Sequence, residues 1–124
     1  MTEHAEQVAL FQWARMMEPR YPELKLLHAI PNGGKRHIAV AVKMKAEGAK
    51  PGVPDVFLPV ARGCWHGLYI EMKFGKNTPS KNQKRWIDLL NQQGYYVDVC
   101  YSAERAIEVV MEYLALPACG VNVV

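Results

Sequence analysis

Apolar and polar positions recur along this chain with two different periods. Over residues 4–17, Glu6, Ala9, Leu10, Trp13 and Met17 fall at i, i+3, i+4, i+7 and i+11, which predicts a helix with one inward stripe; Pro19 and Pro22 mark its end. KLLHAI, 25–30, reads as a short strand, and PNGGK, 31–35, as a turn. A short helix is expected over 38–47, stopped by Gly48, followed by the loop GAKPGVP, 48–54. DVFLPV, 55–60, and LYIEMKF, 68–74, read as two strands joined by the turn ARGCWHG, with Pro59 placing the first near an edge or a strand end. Thr78-Pro79-Ser80 opens a helix with proline in its first turn; Trp86, Leu89 and Leu90 give it an apolar face, and Gly94 ends it. YYVDVCY, 95–101, is a strand, and Ser102 caps a last helix striped by Ala103, Ala106, Ile107, Val110, Met111 and Leu114. The order is α-(β)-α-β-β-α-β-α. Strands 55–60 and 68–74 should pair antiparallel. Strands 68–74 and 95–101, joined by a helical crossover, should run parallel and right-handed. The fold class is α/β, a mixed sheet flanked by helices.

Within the second strand the alternation carries a chemical question. Leu68, Ile70 and Met72 share one face; Tyr69, Glu71 and Lys73 share the other, which sets the Cα atoms of Glu71 and Lys73 roughly 7 Å apart. Lysine and glutamate are seldom buried unless paired. One reading is a structural ion pair. The other is a metal site, which needs a further carboxylate, and Asp55 at the start of the neighbouring strand supplies it. Two carboxylates, a backbone carbonyl and waters are a usual way of holding Mg²⁺. Taken alone, Asp55 reads as a turn-forming residue at a strand start.

Composition and charge narrow the classes. Half the residues are hydrophobic, no apolar run is long enough for a membrane helix, and the acidic N-terminus lacks the features of a signal peptide. Three widely spaced cysteines, Cys64, Cys100 and Cys119, argue against a disulfide framework and fit a reducing, cytoplasmic setting. The net charge of +3 conceals an asymmetry: residues 25–85 hold twelve Lys/Arg against three acids, net +9, between flanks of −2 and −4. A basic middle of this kind suits a polyanion, although a solvated lysine-rich face gives the same count. Cys64-x-His66 is the one close Cys/His pair, too little for zinc, and no GxGxxG or P-loop is present, so no nucleotide cofactor is expected.

Pro54-Asp55 followed by Glu71-Met72-Lys73 resembles the PD-(D/E)xK nuclease signature. The wider context is more specific. Gly52-Val-Pro-Asp55, Ile70-Glu-x-Lys73 and Ser80-x-x-Gln83, in this order and spacing across residues 4–112, resemble the VRR-NUC domain, in the stand-alone form found in phages and bacteria. The length fits one domain over 1–124, which the resemblance makes a nuclease domain, with its core at about 4–115 and a short apolar tail at 116–124. The resemblance also implies a restriction-endonuclease-like αβββαβ core. Asp55, Glu71 and the Met72 carbonyl would bind Mg²⁺ or Mn²⁺, and Lys73 would orient or activate the attacking water. The family also has an acid on the first helix, for which Glu3 and Glu6 compete; Glu6 is preferred because it lies on the inward stripe, while either could be an acid favoured by the helix dipole. The resemblance sets Gln83 at the edge of the site, where it also completes the capping box Ser80-Lys-Asn-Gln83. Lys35, Arg36, Lys50, Lys76, Lys81, Lys84 and Arg85 are the expected phosphate contacts. Asn32 and Gly33 resemble a family turn near the site, though a plain turn explains them.

The function this implies is a metal-dependent endonuclease on DNA, with branched substrates such as four-way (Holliday) junctions and, by the symmetry of such a substrate, a homodimer. The alternatives are a non-catalytic DNA-binding module on a nuclease fold, or a nuclease acting on linear duplex or flap DNA.

Overall fold

The computed structural model describes residues 2–31 and 38–118. Helix α1 spans Glu3–Met17, a short 3₁₀ helix Pro22–Leu26, strand β1 His28–Ala29, helix α2 Ile38–Ala46, strands β2 Val56–Leu58 and β3 Leu68–Met72, helix α3 Lys81–Gln92, strand β4 Tyr96–Cys100 and helix α4 Ala103–Leu114. The four strands form one sheet in the order β1-β2-β3-β4. β1 and β3 run antiparallel to β2, and β4 runs parallel to β3 through the α3 crossover. This is the mixed α/β sheet expected from the sequence.

The core lies on one face of the sheet. Leu68, Ile70 and Met72 of β3 are at most 1% exposed, as are Val56 and Leu58 of β2, and they pack with Leu10 of α1 and Val110 of α4. Tyr113 is 1% exposed and keeps its polar end satisfied by donating its hydroxyl hydrogen to the Val60 carbonyl at 2.6 Å. α3 approaches the opposite face, where it packs along β4 and reaches Glu71 through Gln83.

Several local expectations shift. KLLHAI is mostly not a strand: Pro22 opens a 3₁₀ turn that buries Leu24 and Leu27, leaving only His28–Ala29 to pair with β2. Pro79 does not enter the first turn of α3, because Ser80 is the N-cap and the helix begins at Lys81. The inward side of α3 is Gln83, Trp86, Ile87 and Leu90, with Leu89 46% exposed. On α4 the buried line is Ala103, Ala106, Val109, Val110 and Tyr113, and Met111 faces outward at 41%. Most of each expected stripe lies inward or against the core, Trp86 and Leu90 on α3 and Ala103, Ala106, Ile107, Val110 and Leu114 on α4, and one residue of each, Leu89 and Met111, turns outward. Helix α2 buries none of its residues; Ile38, Val40 and Val42 are 79%, 44% and 63% exposed. The PNGGK turn from Asn32 onward, Lys35, Arg36 and Cys119 lie outside the described residues.

Candidate active site

The alternation of β3 places Glu71 opposite the core, yet Glu71 is only 2% exposed. Its burial comes from three directions. Asp55 enters from the residue preceding β2, and its Oδ2 accepts the Met72 N–H at 2.8 Å. Gln83 enters from the first turn of α3 and donates from Nε2 to Glu71 Oε2 at 3.1 Å. Lys73 follows on the same strand with Nζ 3.8 Å from Oε2 and a side chain 12% exposed. Asp55, Glu71, Lys73 and Gln83, separated by up to 28 positions in the chain, are thus one cluster at the end of the central strand.

Local sequence accounts for this geometry. Gly52 has φ +97°, and a Cβ there would lie 2.8 Å from the Asn82 backbone and from the Trp86 ring, so only glycine lets the 48–54 loop close against the first turn of α3. Buried Pro54 then delivers Asp55 to the sheet. On α3, Ser80 and Gln83 form a reciprocal capping box: the Ser80 hydroxyl accepts the Gln83 N–H at 3.2 Å and Gln83 Oε1 accepts the Ser80 N–H at 2.8 Å. The two expected roles of Gln83 are therefore compatible in one side chain. Its carbonyl end caps the helix and its amide end holds Glu71.

The electrostatics of Glu71 are unusual for a carboxylate. Burial, then the neighbouring charge of Asp55 and the proton these two acids can share, raise its pKa from 4.5 to about 8; Lys73 opposes the shift and Glu3 adds to it. With both carboxylates ionised, Glu71 Oε1 is buried with no hydrogen-bond partner. A buried acceptor left empty beside a second carboxylate costs stability unless something electropositive fills it. Two carboxylates and the adjacent Met72 carbonyl are oxygen ligands of the type that hard divalent cations take, so the donor set fits Mg²⁺ or Mn²⁺. Among the described residues no group of three or more His, Cys, Asp or Glu is arranged to hold a metal, which leaves backbone and water oxygens to complete such a site.

The first-helix acids divide differently from the expectation based on the stripe. Glu6 is buried at 8%, and its Oε1 accepts the Ala103 N–H at 2.7 Å, so it satisfies an orphan donor at the start of α4. Glu3, half-buried one turn earlier, is the first-helix acid whose charge reaches Glu71. The helical stripe marks Glu6 as inward but not what it meets, because its partner lies 97 residues away. Lys50, Lys76, Lys81, Lys84 and Arg85 are all exposed. Lys81, Lys84 and Arg85 sit on the first turns of α3, beside the Gln83–Glu71 contact.

Comparisons with known proteins identify the family and the fold. A family model described as the VRR-NUC domain matches residues 2–104. A solved structure titled "VRR_NUC domain protein" superposes with a TM-score of 0.80 at 30% identity, covering 95% of this chain and 92% of that one. No curated protein matches. Since the family match runs from α1 to the start of α4 and takes in Asp55, Glu71, Lys73 and Gln83, the chain belongs to the VRR-NUC domain family, a nuclease-type domain that acts on DNA.

Proposed function

We propose that this domain is a divalent-metal-dependent endonuclease that hydrolyses DNA phosphodiester bonds, selective for branched DNA such as four-way junctions, and that it works as a homodimer. The observation that carries the catalytic part is the Asp55–Glu71 pair. One carboxylate is nine-tenths or more buried, carries a raised pKa and has an empty acceptor, a costly arrangement that a bound cation would relieve. Asp55, Glu71 and the Met72 carbonyl would hold Mg²⁺ or Mn²⁺. When bound, such a cation polarises the phosphate and lowers the pKa of a coordinated water.

The chain's own residues supply the rest. The Met72 N–H fixes Asp55 against the residue whose carbonyl would be a third oxygen ligand. Gln83 fixes the Glu71 carboxylate from the α3 cap. Lys73 stands beside Glu71 with little solvent, where it orients the attacking water and offsets the charge that grows on the phosphate oxygens. Of the first-helix acids, Glu3 adds its charge to the field at Glu71, which supports a role for it at the site, and Glu6 acts as a positioning residue that ties α1 to α4. Exposed Lys50, Lys76, Lys81, Lys84 and Arg85, with Lys35 and Arg36, would grip phosphates with little reading of sequence.

A symmetric junction needs two matched sites, which supports the dimer. Ile38 and Val42, exposed and one turn apart on α2, are a surface that a second copy would cover. Incubation with a four-way junction, a linear duplex and single-stranded DNA, in Mg²⁺ or EDTA, tests the reading. The junction is expected to be cut in Mg²⁺ alone, and Asp55→Asn to abolish cutting. No cleavage of any substrate in metal defeats the enzyme assignment; cutting of the linear duplex at one fixed sequence defeats the junction assignment.

A further inference from the structure

The segment from Lys73 to Ser80 joins two parts of the candidate site. At its start Lys73 stands beside Glu71, and at its end Ser80 opens the capping box that carries Gln83. Gln83 then closes the circuit by donating to Glu71, 12 positions back along the chain. Lys73 lies one residue beyond β3, and Phe74 to Pro79 belong to no helix or strand. Gly75 takes φ +62° and the Asn77 N–H donates to the Phe74 carbonyl at 3.2 Å, so residues 74–77 make a tight turn. Residues 74–78 are all exposed. A turn with so little packing opens easily unless something ties it down, and any movement in it reaches Lys73 directly.

One side chain ties it down. Tyr101 donates its hydroxyl hydrogen to the Asn77 carbonyl at 2.9 Å. Among the hydrogen bonds of the described residues, this is the one that reaches residues 74–79 from another part of the chain. The sheet explains why Tyr101 is there. β4 runs parallel to β3 with Met72 paired to Cys100, and the Lys73 N–H donates to the Cys100 carbonyl at 2.9 Å. One step past that pair, Lys73 and Tyr101 leave the two strands side by side, roughly 4.8 Å apart. Met72 and Cys100 point into the core, so alternation turns Lys73 and Tyr101 to the face of Glu71. The end of β4 therefore holds the segment at two points. The Cys100 carbonyl holds the backbone of Lys73, and the Tyr101 hydroxyl holds the far side of the turn. The Tyr101 side chain is 42% exposed, so burial in the core is not what places it.

Resting on the nuclease reading above, we infer that Tyr101 is a positioning residue for phosphodiester cleavage. Its hydroxyl fixes the 74–77 turn and thereby holds the Lys73 ammonium in place beside Glu71. It acts through Lys73 and not on the phosphate.

Tyr101→Phe tests this, because it removes the hydroxyl and keeps the ring. It is compared with the wild-type protein and with Val109→Ala, a core change remote from the 74–77 turn, and circular dichroism with a melting curve checks each fold. Junction cleavage in Mg²⁺ gives kcat and KM, binding is read in EDTA, and the lysine side-chain Cε–Hε signals of the metal-free protein are followed by NMR. Tyr101→Phe should lower kcat roughly tenfold, since misplacing a positioned group costs up to about 10²-fold, while KM and binding in EDTA stay at wild-type values. It should move the Lys73 signal and leave that of Lys25, on the 3₁₀ helix, in place. Val109→Ala should leave kcat unchanged. In a Lys73→Arg background, Tyr101→Phe should cost less than it does in the wild type, because the group it positions has already been replaced. An unchanged kcat in folded Tyr101→Phe overturns the assignment. So does an equal loss in Val109→Ala, or full additivity with Lys73→Arg. If the wild-type protein cuts no DNA in metal, the nuclease reading fails, and the Lys73 signal alone then decides whether Tyr101 fixes that lysine; an unmoved signal overturns this as well.

Discussion

Glu71 is where function and stability oppose each other. Its pKa, raised from 4.5 to about 8, means that the folded protein holds a proton which the unfolded chain releases at lower pH. The stabilising effect of that proton is complete below pH 4.5 and is lost as pH rises towards 8. Metal-free protein should therefore melt at a lower temperature at pH 8 than at pH 5. Glu71→Gln, which removes the charge and keeps the shape, should raise the metal-free Tm at pH 8 by at least about 3 °C and by much less at pH 5; scanning calorimetry in EDTA at the two pH values measures this. Lys73 tests the other half of the pair. As a mere ion-pair partner it would be replaceable by arginine. As a compact ammonium set against an attacking water it is not, since arginine is a wider planar fork with fixed charge. Lys73→Arg is expected to lower cleavage by about 10²-fold or more while circular dichroism and DNA binding in EDTA stay at wild-type levels. Glu6 shows where residue-level reading stopped short. Its inward position was visible in the helical stripe, but not its acceptance of the Ala103 N–H, which comes from a helix that only the fold brings near.

At the level of elements, the site is held by a loop, a strand and a helix cap that fit one another. The glycine at 52 is the tightest point of that fit, with backbone on one side and Trp86 on the other. Gly52→Ala adds both a collision and a strained positive φ, so it should cost about 1–3 kcal/mol, read as a fall in the denaturation midpoint. It should also lower cleavage more than an equally destabilising core change such as Val109→Ala, because it moves the α3 cap and with it Gln83. The elements themselves were largely legible, since period 2 and period 3.6 separate strands from helices over most of the chain. Their facing was less so. Leu89 and Met111 belong to apolar stripes yet stand 46% and 41% exposed. A helical stripe specifies that a helix has an inside, and the packing partner decides where its edge falls. KLLHAI failed as a strand for a related reason: Pro22 and the burial of Leu24 and Leu27 favour a turn, which pairing with β2 then limits to two residues.

For the whole molecule, the exposed apolar face of α2 is the feature most in need of a partner. Ile38→Asp with Val42→Asp should lower the mass in light scattering from dimer to monomer and reduce junction cleavage more than single-site DNA binding; a wild-type mass of one chain overturns the dimer. No helix among the described residues is long and apolar enough to cross a membrane. The sequence by itself determined the kinds of elements, their order, and the residue types of the candidate site, because periodicity, caps and the spacing from Asp55 to Gln83 are local or nearly local properties. Only the tertiary structure decided that Glu71 is buried with an empty acceptor, that Gln83 joins the helix cap to it, that Glu6 accepts from the start of α4 while the charge of Glu3 adds to the shift at Glu71, and that the rings of His28, Phe57 and Tyr69 meet across β1, β2 and β3. Each of these depends on groups distant in the chain meeting within a few ångströms. Burial, pKa and stacking are set by such neighbours, so no single stretch of sequence contains them.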